Sequence, residues 1–242
     1  VVQDSFDRPE EYQDVNVVGT ENIFKLAKKN NFKVVYASSS SVYGHKEDMP
    51  IKEESERKPI NPYGQTKLDD EYLFEKYSKD GTKIIGLRYF NIFGKGQTLE
   101  YAGVITKFLE NIRNDKNLTI FGDGNATRDF VSVNDVASLN LFMLDHPEAS
   151  GIANVGTGCS RSFNDVALSV INTCRASRDE PEWSLQDAQQ SEAIVYFPLP
   201  VELTGKYQSF TEADLQELRA LGYTDEMTSL EAGVRHYVHY LQ

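Results

Sequence analysis

The sequence predicts an α/β protein with a doubly wound parallel sheet. Apolar residues recur at helical spacing through residues 10–30, and a short apolar segment at residues 33–37 follows directly. The same order returns when a second helix, expected from Asn61, is followed by an apolar segment at residues 83–90. Helices that alternate with short buried strands are typical of parallel sheets with crossover helices.

Residues 10–30 predict an amphipathic helix. Its periodic apolar positions include Val15, Val18, Ile23 and Leu26. Apolar residues at this spacing lie on one side of a helix, which is what makes the helix amphipathic.

The second helix has a clear start signal. Asn61 is suited to the N-cap, where its side chain can accept a hydrogen bond from a free backbone N–H. Pro62 suits the first helical position, where no backbone N–H is needed. Leu68, Tyr72 and Leu73 supply an apolar side.

Beyond Gly94 the pattern loosens into shorter elements. A strand is expected at residues 118–121. The stretch 175–191 is polar and rich in Asp, Glu and Gln, which predicts a surface insertion or linker. Further helices are expected at residues 103–114, 134–144, 163–174, 211–220 and 229–241.

The composition limits the classes of partner. The 242 residues are 40% hydrophobic, enough to bury a full core, and carry a net charge of −12. Nucleic acids demand clustered Lys and Arg, so an acidic chain is not expected to bind them. No run of about 18 apolar residues is present to span a bilayer, and we expect a cytoplasmic protein that does not bind membranes. An anionic ligand would need a local cationic pocket.

Tyr63 and Lys67 form a candidate acid–base pair. They lie four residues apart on the second helix, so their side chains share one face. A free phenol, with a pKa of about 10, is a poor base at neutral pH, but a neighbouring ammonium favours the phenolate form. Tyr72 and Lys76 have the same spacing, yet Tyr72 lies on the helix face opposite Tyr63. Only one of the two pairs can face a site.

Four consecutive serines, residues 38–41, follow the first predicted strand. In open α/β sheets the ligand binds beyond the C-terminal ends of the strands, where this cluster falls. The cluster SSSSVYG, the helix start NPYGQTK and the segment RYFNIFG at residues 88–94 closely resemble the extended short-chain dehydrogenases/reductases, in particular the nucleotide-sugar epimerases. The order and spacing of the three motifs carry the resemblance, which runs from about Ser5 to Gln242.

The resemblance implies a Rossmann-like fold, NAD as the cofactor and a nucleotide-diphosphate sugar as the substrate. It implies that Ser39 hydrogen-bonds the reacting sugar hydroxyl, that Tyr63 is the base and that Lys67 also binds the nicotinamide ribose. The further cofactor-binding residues it implies are Asn16, Ser38, Tyr89 and Phe90. The substrate-binding residues it implies are Ser39, Ser40, Asn91, Arg128 and Tyr207.

Two of these substrate residues would meet the diphosphate. Asn91 is expected to contact it and Arg128 to neutralise it, because a bidentate guanidinium suits phosphate. Arg128 would thereby supply the cationic pocket that an acidic protein needs. The resemblance also implies a homodimer, paired through the helices predicted at residues 10–30 and 62–79.

The cofactor domain is expected to be incomplete. No strand–GxxGxxG–helix unit occurs in the sequence, although its glycines normally let the backbone approach the pyrophosphate. We expect the chain to begin partway through that domain. Residues 1–94 are interpreted as the C-terminal part of the NAD-binding domain. Residues 95–242 are interpreted mainly as a smaller α/β substrate-binding region, with some segments returning to the first domain.

Several reactions are compatible with the family. Its dehydratases carry an acidic residue beside the active serine, which residues 39–41 lack, so epimerisation through a transient keto-sugar is favoured. Residues 197–215 resemble the ADP-heptose 6-epimerases, with Tyr207 at a substrate-binding position. Those enzymes carry a second catalytic lysine shortly after the RYFN segment, and residues 95–105 have no lysine at the matching place. We therefore rank a UDP-glucose/UDP-galactose or UDP-N-acetylglucosamine 4-epimerase first. The alternatives are an ADP-L-glycero-D-manno-heptose 6-epimerase, a dehydratase and a non-catalytic nucleotide-sugar-binding fragment.

Two other motifs are not expected to bind ligands. His236 and His239 lie three residues apart without a further ligand nearby, so no metal site is expected. The segment 156–158, Gly-Thr-Gly, lacks the lysine of a phosphate-binding P-loop and predicts a strand-to-helix turn.

Overall fold

The computed structural model describes residues 2–98, 103–200 and 210–241. Its elements up to residue 98 are α1 (Asp4–Asp7), α2 (Pro9–Tyr12), a π-helical segment (Gln13–Val18), α3 (Gly19–Asn30), β1 (Val34–Ser39), a 3-10 turn (Ser40–Tyr43), α4 (Pro62–Lys79), β2 (Ile84–Tyr89) and β3 (Asn91–Phe93). Those from residue 103 are α5 (Val104–Arg113), β4 (Leu118–Phe121), β5 (Thr127–Ser132), α6 (Val133–Asp145), β6 (Gly151–Val155), β7 (Ser160–Ser162), α7 (Phe163–Ala176), α8 (Leu185–Gln190), β8 (Ile194–Phe197), α9 (Gln216–Ala220) and α10 (Leu230–Leu241).

A parallel sheet in the order β1-β2-β6 forms the first half of the fold. On one face, Tyr36 and Ile84 pack against α3 and α4, where Phe24 belongs to the same buried cluster. On the opposite face, Leu87 packs with Leu139 of α6. Helices therefore cover the sheet on both faces, and the predicted α/β fold class is confirmed.

The first predicted helix is present, but it presents a different side to the core. It runs through α2, the π-helical segment and α3. Phe24 and Ala27 are its buried residues in α3, because this side meets β1 and α4. The four periodic positions named from the pattern are all exposed instead: Val15, Val18, Ile23 and Leu26.

Helix α4 begins as predicted. The Asn61 side chain accepts a hydrogen bond of 2.7 Å from the backbone N–H of Gly64, and Pro62 is the first helical residue. Leu68 is buried, whereas Tyr72 is 51% exposed. Tyr72 is therefore not part of the apolar side, because the helix turns this residue away from the sheet.

Residues beyond Gly94 build a second core. Strands β4 and β8 pair in parallel, and β3, β5 and β7 form a second small sheet. Helices α5, α7 and α10 contribute Phe108, Val170 and Val234 to the core cluster between them. Within the described ranges, no helix is both long enough and apolar enough to cross a bilayer.

The stretch 175–191 is not a linker. It contains helix α8, whose start carries a reciprocal capping box between Ser184 and Asp187. Ala188 is fully buried, and the Asn172 side chain hydrogen-bonds both the N–H and the carbonyl of Trp183. The polar residues that suggested a linker cap and surround a segment that packs on the second core.

The predicted helix at 211–220 is present only from Gln216 to Ala220. Ile51 donates its N–H to the carbonyl of Glu212 and accepts the N–H of Asp214. Because these backbone groups pair with a distant segment, the helix does not extend back to residue 211.

Candidate active site

The serine cluster lies at the C-terminal end of β1. Ser39, the last residue of the strand, is 8% exposed, and its Oγ accepts the backbone N–H of Ser41 at 3.2 Å. The Ser38 hydroxyl donates a hydrogen bond of 2.6 Å to Glu71 Oε1. Ser40 begins the 3-10 turn and is partly exposed. Ser38 is therefore tied into the protein interior, while Ser39 and Ser40 lie where the strand ends.

The start of α4 packs directly against this cluster. A Cβ atom on Gly64 would lie 2.7 Å from the carbonyl oxygen of Ser41, so a larger residue could not occupy the position without a shift of the backbone. This close approach brings the helix turn that carries Tyr63 next to the end of β1. The sequence placed the two motifs in order along the chain, and the fold brings them together.

Tyr63 is held at its backbone and at its ring. Its N–H donates to the hydroxyl of Ser5 at 3.1 Å. Its ring meets that of Tyr12 edge to face, with the centroids 6.4 Å apart. Ser5 is fully buried, so the first helices fix the point at which α4 begins.

Lys67 lies on the same side of α4 as Tyr63. Its Nζ is 5.9 Å from the centroid of the Tyr63 ring and 3.2 Å from Asp70 Oδ2. The competing pair points elsewhere, since the Tyr72 ring is exposed and Lys76 forms an ion pair with Glu21. The structure thus brings Tyr63 and Lys67, and not the second pair, to the serine cluster.

A buried ionic network supports the cluster from behind. Glu71 accepts two hydrogen bonds from Arg88, at 2.8 Å from Nε and 2.7 Å from Nη2, as well as the bond from Ser38. Arg57 donates a further hydrogen bond to Glu71 at 3.0 Å. Burial raises the pKa of Glu71, but the hydrogen bonds and charge of Arg88 outweigh it, and the net pKa is lowered. Glu71 is therefore an ionised anchor that joins β1, β2 and α4.

Asn16 contacts the helix that carries Tyr63. Its Nδ2 donates a hydrogen bond of 2.9 Å to Thr66 Oγ1, and the Thr66 hydroxyl donates to the carbonyl oxygen of Tyr63 at 2.8 Å. In this structure Asn16 thus links the π-helical segment to the first turn of α4.

Tyr89 and Phe90 lie on different sides of the sheet. The Tyr89 hydroxyl donates to Asn140 Oδ1 on α6 at 2.9 Å, so its side chain is not brought to Tyr63 and Lys67. Burial raises the pKa of Tyr89. Phe90 packs in a buried cluster that also holds Leu68 of α4. Phe90 alone of the two lies on the α4 side.

A separate cleft contains Asn91 and Arg128. Its volume is about 220 Å³, and Val104 and Phe163 also line it. Arg128 is 8% exposed, its Nη1 donates to the carbonyl of Thr127, and its guanidinium lies 5.6 Å from the centroid of the Phe163 ring. The structure therefore places both predicted diphosphate contacts in one cleft with a cationic wall.

An apolar cavity adjoins this cleft. Its volume is about 470 Å³, and Val104 and Phe163 line both spaces. Three of the other lining residues are apolar, Phe108, Ile120 and Phe121, and three are polar, Lys107, Asn111 and Thr119. A ligand with a charged part and a flat, less polar part could occupy the two spaces together.

The Gly-Thr-Gly segment, residues 156–158, binds the carboxylate of Asp129, the residue that follows Arg128. This carboxylate accepts the backbone N–H groups of Thr157, Gly158 and Ala213 and the hydroxyl of Thr157. Since β7 follows β6 here, the segment connects two strands, and the predicted strand-to-helix turn is wrong. The carboxylate of Asp129 thus accepts the backbone N–H groups that a phosphate-binding loop would offer to a ligand.

Two further expectations concern Tyr207 and a metal site. Tyr207, predicted to bind substrate, lies outside the described residues. In residues 2–98, 103–200 and 210–241 there is no group of three or more His, Cys, Asp or Glu side chains that could hold a metal ion.

Sequence reasoning missed the buried acidic residues of α4. Asp70 and Glu71 have no exposed side-chain surface, yet charged residues on a helix are normally assigned to solvent. The available signal was their spacing, because residues three and four positions after Lys67 return to the face of the helix that carries it.

The comparisons with known proteins agree with this architecture. The NAD dependent epimerase/dehydratase family matches residues 1–156. An ADP-L-glycero-D-manno-heptose-6-epimerase from Cupriavidus pinatubonensis is 38% identical over 92% of this chain and 70% of its own length. An enzyme with the same name from Pseudomonas paraeruginosa is 42% identical over 86% of this chain and 65% of its own length.

A solved structure matches the whole chain. A UDP-N-acetylglucosamine 4-epimerase from Methanobrevibacter ruminantium, in complex with UDP-N-acetylmuramic acid, superposes with a TM-score of 0.85 at 28% identity, over 100% of this chain and 73% of its own. The chain belongs to the NAD dependent epimerase/dehydratase family. Within it, the chain is placed among the NAD-dependent nucleotide-sugar epimerases, as the resemblance predicted.

NAD is the cofactor of this family, and Lys67 of α4 fits a role in holding it. The Lys67 ammonium carries three N–H donors, and the ion pair with Asp70 engages one oxygen acceptor. Lys67 therefore retains donors for the hydroxyls of a ribose.

Proposed function

We propose that this chain epimerises ADP-L-glycero-D-manno-heptose at carbon 6. The observation that carries the proposal is the identity of 38% and 42% to two enzymes of that name over most of the chain. The grouping of Ser39, Tyr63 and Lys67 at the end of β1 supports a catalytic role rather than binding alone. The proposal therefore replaces the UDP-hexose 4-epimerase as the leading interpretation.

In the proposed reaction, Tyr63 takes the proton from the sugar hydroxyl that is oxidised. The Lys67 ammonium favours the phenolate form that does so. Ser39 donates a hydrogen bond to the same sugar oxygen. Tyr63 and Lys67 would hold the nicotinamide ribose of NAD, and the cofactor would supply the hydride acceptor for oxidation of the sugar carbon and the hydride donor for reduction of the transient keto-sugar from its opposite face. Tyr63 then gives the proton back and so serves as base and acid in turn.

We further propose that the nucleotide-diphosphate part lies in the two adjoining spaces. Arg128 and Asn91 would contact the diphosphate in the smaller cleft, and the base would lie in the apolar cavity next to Phe108 and Phe121. The partly buried guanidinium supports this arrangement, because charged hydrogen bonds are stronger away from water. We assign the diphosphate to the Arg128 cleft.

Substitution Arg128→Ala is expected to weaken nucleotide-sugar binding by about 1.5–3 kcal/mol, the range for hydrogen bonds to charged groups. NAD retention should be nearly unchanged, because Lys67 does not line the cleft that holds Arg128. Calorimetric titration of the full-length enzyme with the nucleotide sugar measures the effect. Arg161→Ala is the matched control. Arg161 lies opposite Arg128 in the register of β5 and β7, but its guanidinium forms an ion pair with Glu231 at 2.6 Å. Unchanged affinity in Arg128→Ala would argue against the cleft.

A UDP-hexose 4-epimerase is the second candidate, favoured by two observations. Residues 95–105 have no lysine at the place where the 6-epimerases carry their second catalytic lysine. Lys95 Nζ lies 4.1 Å from the centroid of the Tyr240 ring on α10, so its ammonium lies against the exposed side of that helix. The superposition on a UDP-N-acetylglucosamine 4-epimerase supports the same candidate.

A substrate panel distinguishes the two candidates. The full-length enzyme, supplied with NAD, is incubated separately with the ADP-heptose, UDP-glucose and UDP-N-acetylglucosamine, and each product is separated from its epimer by chromatography. We expect conversion of the ADP-heptose and no conversion of either UDP-sugar. Conversion of the UDP-sugars alone would select the second candidate, and conversion of none would contradict both.

We propose that residues 1–94 belong to the cofactor domain and residues 95–242 mainly to the substrate domain. The second core supports this division, because the buried residues of its cluster run from Phe93 to Val238. Strand β6 pairs with β2, and helices α6 and α9 pack in the same buried cluster as β2. These contacts support the expectation that some later segments belong to the cofactor domain.

We also propose a homodimer that covers the exposed apolar side of the first helix. Val15 is 64% exposed, and Val18, Ile23 and Leu26 are exposed beside it on the same helix. Val15→Glu should shift the full-length protein toward monomer, because burial of an unpaired charge in such a contact is unfavourable. Sedimentation velocity measures the shift. Leu141→Glu, an equally exposed position on α6, is the control. A strictly monomeric unmodified protein would contradict the proposal.

A further inference from the structure

Asp70 is a buried carboxylate beside the Tyr63–Lys67 pair. Its side chain has no exposed surface, and its Oδ2 lies 3.2 Å from Lys67 Nζ, one helical turn away on α4. The same ammonium lies 5.9 Å from the centroid of the Tyr63 ring. Lys67 is itself only 13% exposed, so solvent screens this group of charges weakly. One ammonium is therefore shared by a phenol and a carboxylate.

We infer that Asp70 is a positioning residue for the epimerase reaction, which holds the Lys67 ammonium in place and offsets part of the positive charge that Lys67 presents to Tyr63. The inference rests on the proposed roles of Tyr63 and Lys67. Asp70 acts only through Lys67, because the ion pair joins it to that residue.

The surroundings of Asp70 determine when it carries its charge. Burial raises the pKa of Asp70 to about 6, while the charge and hydrogen bond of Lys67 and a hydrogen bond from Thr20 of α3 lower it. The charge of Asp69 on α4 raises it. From β1, Tyr36 faces the carboxylate, and burial raises the pKa of Tyr36, with the charge of Asp70 adding to the rise. Asp70 is thus ionised at neutral pH and increasingly protonated below about pH 6.

The direction of the effect follows from these charges. An ionised Asp70 reduces the stabilisation that Lys67 gives to a phenolate at Tyr63. A neutral residue of the same shape leaves the ammonium uncompensated, so the phenolate forms at lower pH. Asp70→Asn is therefore expected to move the acidic limb of the kcat/KM profile to lower pH by roughly 0.5–1 pH unit.

The experiment compares three variants of the full-length enzyme over the pH range of activity. Asp70→Asn removes the buried charge, and Asp70→Glu restores a carboxylate and should return the limb toward its original pH. Asp69→Asn removes a charge from the adjacent position, where Asp69 accepts a hydrogen bond from Gln65 near the helix surface, and should move the limb much less, because the ion pair of Lys67 is with Asp70. Should Asp70→Asn not fold, Asp70→Ser is the second neutral replacement.

A second readout does not depend on turnover. The ultraviolet absorbance of tyrosinate is titrated in each protein, and the titration of the corresponding Tyr63→Phe protein is subtracted, which isolates the signal of Tyr63. The isolated signal should appear at lower pH in Asp70→Asn than in the unmodified enzyme.

The outcomes separate this inference from the proposed function. A shift in Asp70→Asn that is clearly larger than the shift in Asp69→Asn supports it, because a purely structural role would lower activity or stability without moving the limb. An unmoved limb and an unmoved tyrosinate signal in a folded Asp70→Asn enzyme overturn it, even when Tyr63→Phe is inactive. A fully active Tyr63→Phe enzyme would instead overturn the proposed function.

Discussion

Substitution Tyr63→Phe in the full-length enzyme is expected to lower turnover by a factor of about 10²–10⁴, the usual contribution of a general acid–base residue. The change removes the hydroxyl that accepts and returns the proton and leaves the ring in place. The edge-to-face contact with Tyr12 and the backbone hydrogen bond to Ser5 do not involve that hydroxyl, so the fold should be retained. Steady-state rates measured with the substrate identified from the panel test the prediction.

Tyr72→Phe is the matched control. Tyr72 has the same spacing to a lysine on the same helix, but its ring is 51% exposed and turned away from the serine cluster. Removal of the Tyr72 hydroxyl should leave turnover nearly unchanged. Comparable losses in both variants would mean that the acid–base residue has been misassigned.

Substitution Glu71→Gln is expected to lower the free energy of unfolding by about 3–5 kcal/mol, the range for breaking a buried ion pair. Glu71 is fully buried, and Arg88 is 3% exposed, so the change leaves the guanidinium without its buried counter-charge. Urea denaturation measures the loss. Glu75→Gln is the control, because Glu75 is 44% exposed and its pair with Arg57 should contribute less than about 1 kcal/mol.

The decrease in the free energy of unfolding caused by Glu71→Gln should depend on pH. The pKa of Glu71 is lowered in the folded protein, so its ionisation stabilises the fold above the unfolded value of about 4.3. That contribution is lost as the pH falls through the lowered pKa that Glu71 has in the folded protein. The difference between the two proteins should therefore be full at neutral pH and shrink below about pH 4. A difference that stays constant down to pH 3 would contradict the assigned charge.

The sequence predicted most of the elements, because their signals are local. The Asn61 cap, the proline at position 62 and the apolar segment at residues 118–121 each act within a few residues, and the structure has them as predicted. The failures concern long-range contacts. Residues 211–215 pair with Ile51, some 160 positions earlier in the chain, and no local pattern contains that partner.

The candidate site divides in the same way. Tyr63 and Lys67 could be found from one helix, and the serine cluster from the end of one strand. The side-chain direction of Tyr89 could not, because it depends on which face of the sheet α6 covers. The buried charge of Asp70 could not be found either, since helical spacing gives the face of a residue but not its depth.

The carboxylate of Asp129 has a consequence for how the chain around β5 can vary. It accepts a main-chain N–H from Ala213 at 3.1 Å, and it directly follows Arg128 in β5. The main-chain N–H of Thr211 likewise donates to the carbonyl of Thr127 at 3.2 Å. A main-chain N–H is supplied by every residue except proline, so neither bond depends on the side chain at position 211 or 213. The strand that carries Arg128 is therefore held by the backbone of a segment 84 positions further along the chain, and side chains of that segment can change without loss of these two bonds.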